Sequence, residues 1–449
     1  MGLSLEEVAL KAVNLALKFG ASEAEAYTVS GVQTTINVVR GRVNVARSGK
    51  TMALGLRIAV GKRVAVGGGS IRGEADVEAL VEKMVKIARV SAEDPWWSGL
   101  PERLQASPVS GVYDESVESP DIEGLVRGLL EANSLAKRID PRLEVVDASV
   151  GLSVGERVIA NSFGGSVREK ATSVYECVEV KALEGGFEAS FGDCRHSRGL
   201  RELNLEALVE YSSERALRGL RSMEIETGKY TVILMPKVAA SIIASLIAPA
   251  VSADSVQRGR SPLAGKIGEQ ILNPKLTIID DGTVEGHAAT SSFDDEGVAT
   301  RRKTVVEKGV LKSYLYDTYT AKREGKESTG NASRAGVTSN VRPSPTNFIV
   351  EPGGGELEDM LGIDRGLIVH GVIGEWLSNP VRGYLNATIV NADYYENGVF
   401  KGNVKSAVLA GDIYAILRDS LVATSRKLDN VGGVYAPAIL LENVSLAGK

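Results

Sequence analysis

The stretch INVVRGRVNVA, Ile36 to Ala46, sets Arg40-Gly41 between two runs of alternating apolar and polar residues. Glycine in a two-residue loop supplies the positive φ of a primed turn, so these runs predict an antiparallel hairpin, not a parallel crossover. The same grammar recurs at Gly61-Lys62 in LGLRIAVGKRVAVGGG, at Lys308-Gly309 in KTVVEKGVLKSYLYD and at Asn397-Gly398 in NADYYENGVFKGNV. Alternation between Glu144 and Gly192 adds several further antiparallel strands.

Helical periodicity marks Leu3 to Phe19, Glu74 to Ser91, Asp121 to Arg138, Leu205 to Met223 and Ser406 to Ser425. VAASIIASLIAPAV, Val238 to Val251, is about two-thirds of a membrane span and contains Pro249, so it reads as a buried helix. A boundary near Glu226 divides the chain into domains 1–225 and 226–449, the second opening on the strand GKYTVILMP. The expected fold class is α+β, with mostly antiparallel sheets, packed helices and a hairpin-rich C-terminal half.

Length and composition agree with two domains: 449 residues, 43% hydrophobic and 24% charged, describe a soluble globular chain. A net charge of −5 argues against nucleic acid as the main partner. The amphipathic, acidic N-terminus is not a signal peptide, and Glu6 stands where a myristoylation motif at Gly2 needs Ser or Thr. A cytoplasmic location is expected, and four glutamines and two cysteines beside many charged residues suggest a thermophile. Cys177 and Cys194 leave a disulfide and two free thiols both open.

Chemistry is sparse. The three histidines, His196, His287 and His370, lie far apart in sequence and lack the spacing of a zinc helix. No Gly-x-Ser-x-Gly elbow occurs, and VGGGS at Gly67 to Ser70 lacks the lysine and spacing of a P-loop, so it reads as a strand end. Cys194 has Arg195 and His196 beside it, but adjacent residues point apart, and a structural thiol is the stronger reading. The acidic run Asp294, Asp295 and Glu296 admits hard-metal ligation. Asp with Gly is also turn chemistry, and Arg301, Arg302 and Lys303 stand ready to neutralise it, which favours a structural turn.

SFDDEGVATRRKTVVEKGVLKSYLYDTYTAKREGKESTGNASR closely resembles the signature of the TldD/PmbA family, also called TldD/TldE or modulator of DNA gyrase. SPLAGKIGEQI, from Ser261, and VIANSFGG extend the resemblance over essentially the whole chain. TldD-type subunits carry a His-Glu-x-x-x-His helix that binds zinc. The matching position here, Ala244 to Pro249, reads ASLIAP and holds no histidine, carboxylate or thiol. The resemblance therefore implies a PmbA/TldE-like subunit with no zinc of its own. It would pair with a TldD-type zinc subunit, or with itself, in cytoplasmic cleavage or maturation of small or unfolded peptides bound as an added strand. On this reading no catalytic or metal residue is expected. His287, Asp294, Asp295, Glu296, Ser328, Thr329 and Asn331 are the candidate peptide-binding or chamber-lining residues, and neither nucleic acid nor membrane is an expected partner. The family's late Gly-Asp-Phe-Ser is replaced by Gly383-Tyr384-Leu385-Asn386. Two alternatives stand beside this: a homo-oligomeric peptidase using His287, His370 and the acidic cluster, and a peptide-binding module without hydrolysis.

Overall fold

The computed structural model describes residues 4–448, so the Gly2 lipidation question and the expected first helical residue, Leu3, lie outside it. Helix α1 (Leu5–Lys18) starts at Ser4 because Ser4 and Glu7 form a reciprocal capping box. Six strands then build one antiparallel sheet: β1 (Glu23–Val39), β2 (Arg42–Val60), β3 (Arg63–Ser70), β4 (Leu143–Asn161), β5 (Ser166–Glu184) and β6 (Phe187–Ser197), in the order β3-β2-β1-β4-β5-β6. Arg40 and Gly41 take φ of 47° and 71°, as the primed turn requires. Gly67 to Ser70 end β3, as expected.

Helices α1, α2 (Glu74–Val90), α3 (Ile122–Ile139) and α4 (Leu205–Gly219) cover this sheet in two apolar clusters, α1 and α2 over one end and α3 and α4 over the other. Helix α4 is shorter than the expected Leu205 to Met223. Ser222 and Met223 form a short strand, β7, whose parallel pairing with residues 403–404 satisfies their backbone instead.

The second sheet has twelve strands among the described residues. Its middle holds β8 (Gly228–Leu234) beside the last strand of the chain, β20 (Val434–Ala447). Beyond β20 come β14 (Phe348–Val350), β9 (Ile278–Asp281), β10 (Arg302–Glu307) and β11 (Val310–Leu311). Beyond β8 come β15 (Arg365–Ile373), β16 (Tyr384–Glu396), β17 (Val399–Val404) and β7, while β18 (Val408–Asp412) and β19 (Leu421–Val431) pair off this path. A separate two-stranded piece joins β12 (Ala332–Ser333) to β13 (Arg342–Pro343). Short helices α6 (Ala253–Gln257), α7 (Thr318–Arg323) and α8 (Leu357–Leu361) lie in the connections.

The apolar segment expected to be a buried helix is α5 (Pro236–Leu246), followed by a 3₁₀ turn at Pro249–Val251, in the largest core cluster. Proline at its first position needs no N–H there. The expected helix from Ser406 to Ser425 is corrected: only α9 (Ile413–Asp419) is helical, capped by Asp412, with β18 and β19 on either side. Its apolar residues fit both periods, and pairing of Val408 and Leu409 with β16 and β20 decides for strand. No helix among the described residues is long and apolar enough to cross a membrane.

Candidate functional site at the junction of the two halves

The acidic run lies where the two halves meet. Phe293 and Ala299 bridge across a tight turn, and the Asp294 carboxylate accepts from the N–H groups of Glu296 (2.9 Å) and Val298 (3.0 Å) inside it. Its other oxygen accepts from Ala332 N–H at 3.0 Å, tying the turn to β12. Asp295 accepts from the Arg157 guanidinium and from Arg334 N–H (2.7 Å). Glu296 accepts from Arg57 Nη1 and from Thr318 N–H, both at 2.7 Å. Arg57 also donates to Glu25 at 2.6 Å, and Glu25 accepts from Arg334. Thus Glu25, Arg57 and Arg157 from the first sheet interlock with Asp295, Glu296 and Arg334 from the second half.

The neutralising cations are not the nearby ones the sequence suggests. Lys303 pairs with Asp280 at 2.7 Å, its direct partner in the β9–β10 register, Arg302 pairs with Glu351 at 2.8 Å, and Arg301 donates to the Ser328 carbonyl at 2.7 Å. Strand register gives Lys303 its partner, and tertiary packing, not sequence proximity, gives the others theirs.

Proton affinities in the cluster divide. Burial, then the Glu296 charge, pushes Asp294 up to about 8 against three N–H donors, and burial with the same charge pushes Asp317 up to about 7. Burial also opposes the Glu296 carboxylate, but the Arg57 charge and the Thr318 and Arg57 hydrogen bonds outweigh it and hold its pKa below the usual range. Among Asp294, Glu296 and Asp317 the charge therefore favours Glu296, against Arg57.

Of the other candidate residues, Asn331 is buried and donates to Asp280 (2.8 Å) and to the Ser344 carbonyl (3.0 Å). Thr329 donates to the Tyr316 carbonyl at 3.0 Å, and half-buried Ser328 does so at 3.3 Å. The chain thereby brings the 294–296 turn against the segment that follows Asn331. His287 stands apart, its ring 4.3 Å from that of Tyr435, and His370 bonds to Tyr211 and faces Asp393. Among the described residues these histidines and the acidic turn share no bonding partner. Among the described residues no three His, Cys, Asp or Glu side chains are placed to hold a metal ion.

A zinc site of the TldD kind would occupy the end of α5. The chain has Ala244, Ser245, Leu246, Ile247, Ala248 and Pro249 there; Leu246, Ile247 and Ala248 are buried in the core, and the one polar side chain is a hydroxyl. These residues do not fit a zinc ion, which needs imidazole, thiolate or carboxylate ligands.

The first turns of α5 instead wall a cleft of about 630 Å³ between the halves, opposite β6 and α4 and flanked by β15 and β19. Lys237 donates to Asp193 and to the Cys194 carbonyl, both at 2.6 Å. Deeper in, His370 Nδ1 lies 3.0 Å from the Tyr211 hydroxyl and Nε2 lies 3.7 Å from Asp393. Burial lowers the His370 pKa against the opposing Asp393 hydrogen bond. Burial opposes the Asp393 charge too, yet the His370 hydrogen bond and the Arg215 charge bring its pKa to about 2. Cys177 and Cys194, directly opposed on β5 and β6, form a disulfide, which resolves the open alternative and removes Cys194 as a reactive thiol. Sequence reasoning missed Glu25, Arg57, Arg157, Lys237 and Asp393. Their only signal was a charge interrupting an apolar strand or helix.

The structure and sequence match known proteins along nearly their whole length. Models for PmbA/TldA metallopeptidase domain 1, central domain and C-terminal domain match residues 24–88, 115–220 and 227–448. The uncharacterized protein MJ0231 of Methanocaldococcus jannaschii is 33% identical over 332 residues, 74% of this chain and 76% of that protein. A metalloprotease PmbA homolog of Haemophilus influenzae is 26% identical over 446 residues, 98% of this chain and 95% of its own. The crystal structure of TldE from Thermococcus kodakarensis superposes with a TM-score of 0.90 at 26% identity, covering 98% of this chain and 100% of that one.

Proposed function

The chain belongs to the PmbA/TldD metallopeptidase family, and from that premise we propose that it is the non-catalytic, TldE-like subunit of a cytoplasmic zinc peptidase. The observation that carries this is the end of α5, where Ala244 to Pro249 offer a zinc ion nothing to bind. A catalytic zinc would lower the pKa of a bound water and so generate the nucleophile. In this proposal a TldD-type partner holds the ion, and this chain contributes chamber wall and peptide positioning.

The cleft beside α5 suits that work. Strand β6 is an outer strand of its sheet, with Ser190 and Gly192 exposed where it borders the cleft, so an extended peptide can add there as a further strand. A cytoplasmic location sits with the Cys177–Cys194 bridge in the setting where intracellular disulfides persist, that of hyperthermophiles.

Elemental analysis of untagged protein, alone and after assembly with a TldD-type chain, tests the proposal. Near-zero zinc alone, with zinc and peptide cleavage appearing only in the assembly, is the expected result. One zinc per chain in the isolated protein would overturn it.

A further inference from the structure

The outer half of the β1–β2 hairpin has features that neither the core nor the peptidase reading uses. From Ala26 to Gly73 the chain contains no Asp or Glu but eight basic residues, Arg40, Arg42, Arg47, Lys50, Arg57, Lys62, Arg63 and Arg72, in a protein of net charge −5. Arg57 is consumed by the buried network at the junction. Arg40, Arg42, Arg47 and Lys50 are exposed on the hairpin, and among the described residues no ion pair or side-chain hydrogen bond engages them.

The backbone there is equally unpartnered. Strand β3 pairs with β2 only from Ala53 to Val60, so residues 42–51 have β1 on one edge and, among the described residues, no strand on the other. All ten are exposed except Val45, which is half-buried. The Met52 carbonyl accepts from Ile71 N–H at 3.1 Å, on the side away from β1. Strand alternation then turns the N–H and C=O groups of Ala46, Ser48 and Lys50 outward as well. A long, open edge of this kind is a template for another strand unless something covers it.

Charge selects what can cover it. A second copy added antiparallel would bring two sets of basic side chains together, and like charges across a strand pair are unfavourable. Nucleic acid fits poorly: Gly31 to Met52 contains no aromatic residue or histidine on which a base could stack. The nearby carboxylates do not fill the role, since Asp147 accepts from Asn37 at 2.9 Å on the β4 side and Glu118 pairs with Lys170. We infer that the outward edge of β2, Arg42 to Thr51, is a docking site for an extended acidic segment of another polypeptide, bound by strand addition. The site is independent of the cleft and of the zinc question.

Fluorescence anisotropy on the full chain tests it, using a labelled ten-residue peptide of alternating Glu and Thr. An alternating Lys and Thr peptide and a short DNA duplex serve as competing probes. The Glu peptide is expected to bind, more weakly as salt rises, and R42E/R47E/K50E should weaken it by about tenfold or more. Ala46→Pro, which keeps every charge but removes one outward N–H, should weaken it by about threefold or more. All four substitutions lie on exposed positions, and an unchanged melting temperature checks that both variants leave the fold intact. Absence of binding, equal binding of the Lys peptide, or indifference to Ala46→Pro would overturn the inference. So would tighter binding of the duplex, lost in the charge-reversed variant, which would assign the surface to nucleic acid.

Discussion

Arg57 on β2 and Glu296, 239 residues later, form a buried ion pair at 2.7 Å that joins the two halves of the chain. Arg57 also holds Glu25 at 2.6 Å, so one guanidinium serves two carboxylates that have little access to water. Removing it leaves Glu296 without a cation and Glu25 with Arg334 alone. Arg57→Met is expected to destabilise the protein by about 3–5 kcal/mol, the usual range for leaving buried charge uncompensated. Glu296→Gln should cost less, because the amide oxygen can still accept from Thr318. Denaturant unfolding of both variants and of the double variant would measure the coupling, and additive effects would refute it.

Stability should fall as pH rises above the ordinary carboxylate range. Asp317 and Asp294, pushed to about 7 and about 8 from an ordinary 3.8, hold protons in the native state that the unfolded chain has released. The stability they confer is complete below the unfolded pKa and is lost as pH rises through the folded values. Glu296, held low, and Asp393, at about 2, act oppositely, and their contribution is lost only in acid. Burial also lowers the His370 pKa, which opposes the decline below its ordinary 6.5, so the melting temperature should fall from about pH 6.5 to about pH 8. Asp317→Asn keeps a good cap for α7 and should flatten that decline. An unchanged slope in the variant would remove Asp317 from the account.

Gly55 carries no unusual φ, yet a Cβ there would stand 2.4 Å from the Val337 carbonyl oxygen of the opposite half. The neighbouring backbone cannot swing aside as a flexible side chain would. Gly55→Ala should then lower stability by about 1–3 kcal/mol or more, as overpacking does. It should also make the segment around Gly336 to Asn340 more susceptible to limited proteolysis, while Gly69→Ala, with open space around it, should be nearly silent.

The Cys177–Cys194 bridge spans 17 residues of sequence. In the chain-entropy view, closing a loop of that size is worth about 3 kcal/mol. Cys177→Ser with Cys194→Ser should lower the melting temperature, and dithiothreitol should lower that of the parent but not of the variant. Two titratable thiols in the unreduced, unfolded parent would exclude the bridge.

Turn chemistry was the most legible part of the fold. Arg40-Gly41, Lys308-Gly309 and Asn397-Gly398 each take the positive φ that the glycine favours and that its neighbour is drawn into, and each closes a hairpin. Ser4 with Glu7 marks the first helix in the same local way. The segment 406–425 was not legible, because Val408, Leu409, Ile413 and Leu417 satisfy strand and helix periods alike until β16 and β20 claim the first two.

By itself the sequence determined the α+β class, the antiparallel hairpins, the family resemblance and the missing ligands at Ala244 to Pro249, all matters of residue type and near-neighbour spacing. Tertiary structure alone decided that Glu296 answers to Arg57 and not to Arg301, that Cys194 is bonded to Cys177, and that His370 is buried beside Asp393. The reason is physical. Turns and caps are settled among a few adjacent residues, whereas these pairings depend on strand register and on how one sheet lies against another, which no local stretch encodes.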